Sequence, residues 1–212
     1  DIVEQMAINR QAYRRGLDSL ITCYKRSGDN MKLKWAENEL KQLNVLPQYN
    51  YIIEAGIAGP ELRAAASITE ADYMYADALA IEKKAKGLVV IVDDNLLRKA
   101  LIKYNELINR HPASDKIDDA AYRVAGICEH FQDYTIALIY YQRAYQWSPD
   151  STNPARFKAA YVLDKHMSRR AEALELYRES LEKEKLNANY AEFAQLRIEE
   201  LTRAHEKLND VK

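Results

Sequence analysis

The feature that most constrains this chain is a spacing. Ala100, Tyr104, Leu107 and Pro112 are followed 37 residues later by Ala137, Tyr141, Ala144 and Pro149. Ala173, Tyr177 and Ser180 come 36 residues after that, with "KLNAN" where a third proline would stand. Small, aromatic and small residues at offsets 0, 4 and 7 lie on one face of a helix. A face repeated at a fixed interval means one supersecondary unit used several times. The stretches between these helices also carry a helical period. Ala121, Val124, Ala125 and Cys128 follow the i, i+3, i+4, i+7 pattern, and "NPARFKAAYVLDKHM" carries the next such helix. The predicted unit is therefore a helix pair, stacked as a solenoid, and the fold class is all-α.

Composition agrees. Six glycines and five prolines in 212 residues are too few for a turn-rich β fold or for glycine-rich cofactor loops. Fifteen tyrosines stand against three phenylalanines. Tyrosine suits half-buried positions, with the ring inside and the hydroxyl wet, and a thin helical array has many of these. A formal net charge of −1 gives no footprint for nucleic acid. No apolar window is long enough for a transmembrane segment, and no signal peptide is read. The chain begins at Asp1, which leaves room for a signal or lipid anchor upstream. Cys23 and Cys128 are read as two buried free thiols rather than a disulfide.

Along the chain, residues 3–26 and 31–43 read as two helices joined by "SGDN" and ending before Pro47, an αα-hairpin within a 1–58 segment. Residues 47–68 read as an irregular connector with a short turn after Pro60. A helix is expected to begin at Thr69, with Thr69 and Asp72 at its start, and to run through Leu88–Val92. Asp93-Asp94 and Asp118-Asp119 read as first-turn carboxylates that offset the helix dipole. Asn153 is expected to cap the helix after Pro154, and Asn189 with Glu192 to form the capping box of the last helix. Residues 59–212 thus divide into helix pairs at roughly 70–112, 114–149 and 152–185, with a capping helix at 189–208.

These residues resemble the tetratricopeptide repeat family. That family sets a small residue and an aromatic in the first helix of its unit, and small, aromatic, small and proline in the second. In the middle unit the positions fall on Ala125, Cys128, Ala137, Tyr141, Ala144 and Pro149. Cys128 departs from the pattern where an aromatic is usual, as does Ala121 where tryptophan is frequent. The joints "PASDKIDDAAYRVAGI" and "PDSTNPARFKAAYVL" and the ending "NANYAEFAQLRIEEL" are similar to bacterial envelope members of the family, the outer-membrane-assembly lipoproteins and the periplasmic coordinator of the Tol–Pal system. The likeness covers residues from about 70 to 205; residues 1–58 resemble no repeat consensus.

The resemblance implies a right-handed solenoid whose concave groove, lined by first helices, binds a peptide or helix of a partner protein. The groove positions fall on Tyr122, Arg123 and Glu129 in the middle unit, and on Phe157, Lys158, Tyr161 and Lys165 in the next. It implies a periplasmic or envelope-associated protein, although the free cysteines also suit the cytoplasm. A second reading makes the chain a subunit of a larger assembly or homo-oligomer, docking through exposed Trp35, Leu40, Leu43 and Tyr49. No P-loop, dinucleotide-binding, nucleophile-elbow or zinc-protease motif is present, so an enzyme is not expected and no cofactor is called for. His130 and Asp133 could share a metal by spacing, but their place beside a turn makes solvated polar residues the favoured reading. No metal site is expected.

Overall fold

The computed structural model describes residues 2–45, 57–87 and 92–209. Among these the secondary structure is helical, apart from one isolated parallel bridge between Ala66 and Ser114. The chain forms two compact units, residues 1–51 and 52–212.

In the first unit, helix α1 (Ile2–Ser27) pairs with α2 (Asn30–Val45). The turn between them needs Gly28, whose φ of 74° lies in the left-handed region that costs other residues a Cβ clash. Asp29 accepts from the Lys32 N–H at 3.2 Å and starts α2. Leu17 and Ala36 are the buried apolar residues of this hairpin. Polar contacts along the seam add Arg10 Nη2 to the Leu43 carbonyl at 3.2 Å and the Tyr13 hydroxyl to Glu39. Trp35 is 61% exposed, as expected, whereas Leu40 and Leu43 are half-buried. Tyr49 lies outside the described residues.

In the second unit, α3 (Thr69–Ala85), α4 (Asp94–Arg110), α5 (Ile117–His130), α6 (Tyr134–Trp147), α7 (Ala155–Lys165), α8 (Arg170–Lys183) and α9 (Ala188–Asn209) each pack on the next. This is the order of contacts of a helical repeat. Ala100, Ala137 and Ala173 are fully buried, and so are Tyr104 and Tyr177, with Tyr141 at 1%. Alanine lets two helix backbones approach, and the tyrosine ring fills the space that the approach leaves to one side. The α5–α6 and α7–α8 turns share a device. Gln132 and Ser168, 36 residues apart, both adopt positive φ (61° and 57°), which closes each turn at the same register.

Several helix ends differ from the sequence expectation. Helix α3 begins at Thr69, but its cap residue is Ile68 and no side chain caps it. It ends at Ala85 rather than continuing to Val92; residues 88–91 lie outside the described residues, and Val92 is non-helical and exposed. Asp93 caps α4, accepting from Asn95 and Leu96 N–H groups at 2.9 and 3.1 Å. Asn153 does not cap α7. Its amide donates to Asp119 at 2.7 Å, and the free N–H groups of Arg156 and Phe157 are taken by the Glu184 carboxylate at 2.6 and 3.1 Å. Asn187, not Asn189, caps α9, accepting from Tyr190 N–H at 2.9 Å. At α7 the cap comes from far along the chain, because the free N–H groups of a helix end take any acceptor that tertiary packing supplies. Cys128 is buried, its thiol pushed up to about 12 by desolvation, whereas Cys23 is exposed rather than buried.

Candidate functional site

The A helices α3, α5, α7 and α9 carry a repeated charged arrangement. Glu82 on α3 accepts from the Tyr104 hydroxyl at 2.8 Å and faces Arg123 of α5 at 3.9 Å. Glu129 on α5 accepts from the Tyr141 hydroxyl at 2.7 Å and pairs with Lys158 of α7 at 3.1 Å. Asp164 on α7, buried beside Tyr177, takes Arg197 of α9 in a two-pronged pair at 2.9 and 2.7 Å. At each joint an acid at the end of one A helix meets a base on the next. At the first two it also holds the tyrosine at the repeated position of its own unit. At the third, Asp164 raises the Tyr177 pKa behind the larger effect of burial, yet both its oxygens serve Arg197 and the buried Tyr177 hydroxyl has no bond of its own.

The geometry has a sequence signature that the repeat spacing alone does not point to. Base and acid stand six residues apart on α5 (Arg123, Glu129) and again on α7 (Lys158, Asp164). The end helices break the pattern. Six residues before Glu82 is the exposed Ala76, and six after Arg197 is Arg203, which pairs with Glu199 of its own helix at 3.1 Å. A buried ion pair offsets its desolvation only when its geometry is good, and at Asp164 both carboxylate oxygens are engaged by Arg197.

Of the seven residues expected to line a partner groove, Arg123, Glu129 and Lys158 are therefore engaged within the array. Phe157 is covered: it is 3% exposed and stacks on Tyr190 with ring centroids 4.4 Å apart, with Phe193 edge-on at 5.9 Å. Its place as a contact for a partner is corrected to packing between α7 and α9, because the last helix covers it. The remaining three stay accessible. Tyr122 is half-buried against Tyr141 at 5.5 Å, and burial pushes its hydroxyl up to about 12. Tyr161 is half-exposed beside Phe193 at 5.8 Å, with the Lys158 ammonium 5.6 Å from its ring. Lys165 is exposed, its ammonium 5.6 Å over the Phe193 ring. The structure thus brings Tyr161 and Lys165 together with Phe193 of α9, a residue the repeat register alone does not point to.

His130 bonds to Asp94 at 2.9 Å, and Asp133 serves as the cap of α6, accepting from Ile136 N–H at 3.4 Å. Among the described residues no three His, Cys, Asp or Glu side chains come together as metal ligands, and no described helix is long and apolar enough to cross a membrane. Asp118 and Asp119 lie in the first turn of α5, as expected from sequence; Asp119, however, binds Asn153 of the next joint rather than its own helix end. No protein-family model matches the chain, and no curated protein matches it.

Proposed function

We propose that this chain is a non-enzymatic protein–protein interaction module or scaffold of tetratricopeptide-repeat type, a right-handed solenoid that binds a partner peptide or helix on its A-helix face. The observation that carries this reading is the half-exposed pair Tyr161 and Phe193, ring centroids 5.8 Å apart, with the Lys165 ammonium over the Phe193 ring. Rings already fixed by packing give a partner contact area at little entropic cost, and an adjacent ammonium adds a charged anchor. The acid–base joints hold successive A helices at a set spacing, so the pair is pre-organised before any partner arrives. The style of the joints favours a bacterial cell envelope as the setting, periplasmic or envelope-associated. The test is a photo-crosslinking residue placed at Tyr161 or at Lys165 in the full chain within its native cells. These positions are expected to capture one discrete protein, with none captured from Arg178 on α8. Capture from Arg178 alone would sink the reading.

A second reading has its own observation. On α1, Met6, Tyr13 and Leu20 recur every seven residues and are 53, 49 and 43% exposed; on α2, Met31 is 58% exposed, near Trp35. Apolar side chains in such number on a two-helix unit favour a structural subunit of a larger assembly, or a homo-oligomer, docked through the N-terminal hairpin. Light scattering across a concentration series separates self-association from a stable monomer.

A further inference from the structure

Residues 57–68 form no helix, yet they are fastened along the array. From Glu61 to Ile68 exposure alternates: Glu61, Arg63, Ala65 and Ser67 are exposed, and Leu62, Ala64, Ala66 and Ile68 are half-buried. This is the two-residue period of a strand with one face on a support. The support is the end of α6 and the turn between α4 and α5. Arg143 Nε donates to the Ala58 carbonyl and the Trp147 indole N–H to the Gly59 carbonyl, each at 2.8 Å. Further along, Ala64 N–H donates to the Trp147 carbonyl at 3.1 Å, and Ala65 and Ala66 N–H both donate to the Ala113 carbonyl, at 3.3 and 2.8 Å. Asp115 N–H returns a bond to the Ala66 carbonyl at 2.8 Å.

Apart from Arg63 Nη1, which donates to the Gln146 carbonyl at 3.5 Å, the segment makes these bonds through its main chain. They are therefore indifferent to which residues occupy it, and the side-chain demand is only for small or aliphatic groups at alternate positions. We propose that the Arg143–Trp147 end of α6 and the Ala113–Asp115 turn form a docking strip for an extended peptide of that kind, and that residues 57–66 are its occupant in cis. A segment of a partner protein with the same chemistry binds by displacing them, as an added strand. This surface is built from B-helix ends and B-to-A turns, and it stands independently of the A-helix face.

One observation makes the occupant exchangeable. None of residues 57–68 is fully buried, whereas Trp147, whose indole is bonded to Gly59, is 1% exposed. Release uncovers the half-buried faces of Ile57, Ala58, Leu62 and Ala64, which pack on the core, and a partner strand of the same pattern covers that ground again. The covalent link also holds the segment near its strip at an effective concentration on the order of millimolar, so a free peptide competes poorly until the segment is loosened.

The probe is a fluorescent peptide with the sequence of residues 57–68, added to the full chain and followed by anisotropy. The unmodified chain is expected to bind it weakly. The double variant Ala64→Pro/Ala66→Pro removes two main-chain donors while keeping the extended conformation that proline favours, and it is expected to bind the peptide at least tenfold more tightly. Adding Trp147→Phe, which keeps a ring but deletes the indole donor to Gly59, is expected to weaken binding again by roughly fivefold, the worth of one hydrogen bond. If the loosened variant keeps its helix content and binds no peptide, the strip is not a docking site. Should that variant fail to fold, hydrogen exchange on the unmodified chain decides: the amides of Ala64 and Ala66 are expected to exchange at least about a hundredfold faster than those within α6, and equal protection would overturn the proposal. Dimers that grow with concentration and block the peptide would overturn it too, by making a second copy the occupant.

Discussion

The hairpin of residues 2–45 and the array that follows are both made of antiparallel helices, but they bury different things. The hairpin encloses Leu17 and Ala36 and leaves Met6, Leu20, Met31 and Trp35 in solvent. The array encloses a continuous core from Ala71 to Leu201, lined mainly by alanine, tyrosine and branched aliphatic residues. A single helix pair has only one seam, and each further pair adds another that covers the faces its neighbour leaves bare. The array is thus closed by its own repetition, while the hairpin keeps the exposure of a unit with one seam.

The two tryptophans give the largest test of that contrast. Trp147 is 1% exposed, with its indole bonded to Gly59; Trp35 is 61% exposed. Trp147→Ala is expected to destabilise the array by about 3–5 kcal/mol, the range for emptying a buried aromatic site. Trp35→Ala is expected to leave the chemical-denaturation midpoint unchanged. Equal effects would show that the hairpin is as well packed as the array.

The ion pairs offer the next test. Asp164 is enclosed and two-pronged to Arg197, whereas Lys25 and Glu37 of the hairpin meet at 3.5 Å in solvent. Removing one partner of an enclosed pair leaves the other charge stranded, so Asp164→Ala is expected to cost about 3 kcal/mol. Glu37→Ala is expected to produce no measurable change in the melting midpoint, as for most exposed pairs. A small loss at Asp164 would mean that Arg197 is rescued by Glu200, its neighbour one turn on.

What could be read in advance followed from local period. Ala100, Ala137 and Ala173 and the tyrosines four residues on are buried as the 36- and 37-residue spacing requires, because one helix face repeats within the sequence itself. Partners brought from far along the chain leave no such period. Glu184 caps α7 from 28 residues away, and residues 58–66 lie against Ala113 and Trp147 by main-chain bonds, with no motif to mark them. The groove residues show the same limit from the other side. Arg123, Glu129 and Lys158 are charged residues on helix faces, and sequence alone does not separate a charge awaiting a partner from one already paired to the next helix. The six-residue base-to-acid spacing on α5 and α7 is the signal that separates them, once the repeat frame is in place.

The smallest expected effect is a pH dependence whose sign differs between the array and the hairpin. Burial, the dominant cause, raises the Asp118 carboxyl above its ordinary 3.8, and it does the same to Glu184 against the opposing pull of the α7 N–H groups. In the hairpin the half-buried Asp29 is instead held low by Lys32. For Asp118 the folded state keeps a proton that the unfolded chain has released, between 3.8 and the raised value. Stability therefore falls as pH rises through that window, by at most about 1.4 kcal/mol per pH unit for one group. Asp29 acts with the opposite sign, contributing stability above the ordinary carboxylate range that is lost as pH falls. A melting curve of the whole chain mixes the two, so the measurement is a difference. Asp118→Asn removes only the first contribution, and its midpoint relative to the parent is expected to climb from about pH 4 upward and then level off. A difference that stays flat from pH 3.5 to 7 would show that the Asp118 carboxyl is as well solvated in the folded array as in the unfolded chain.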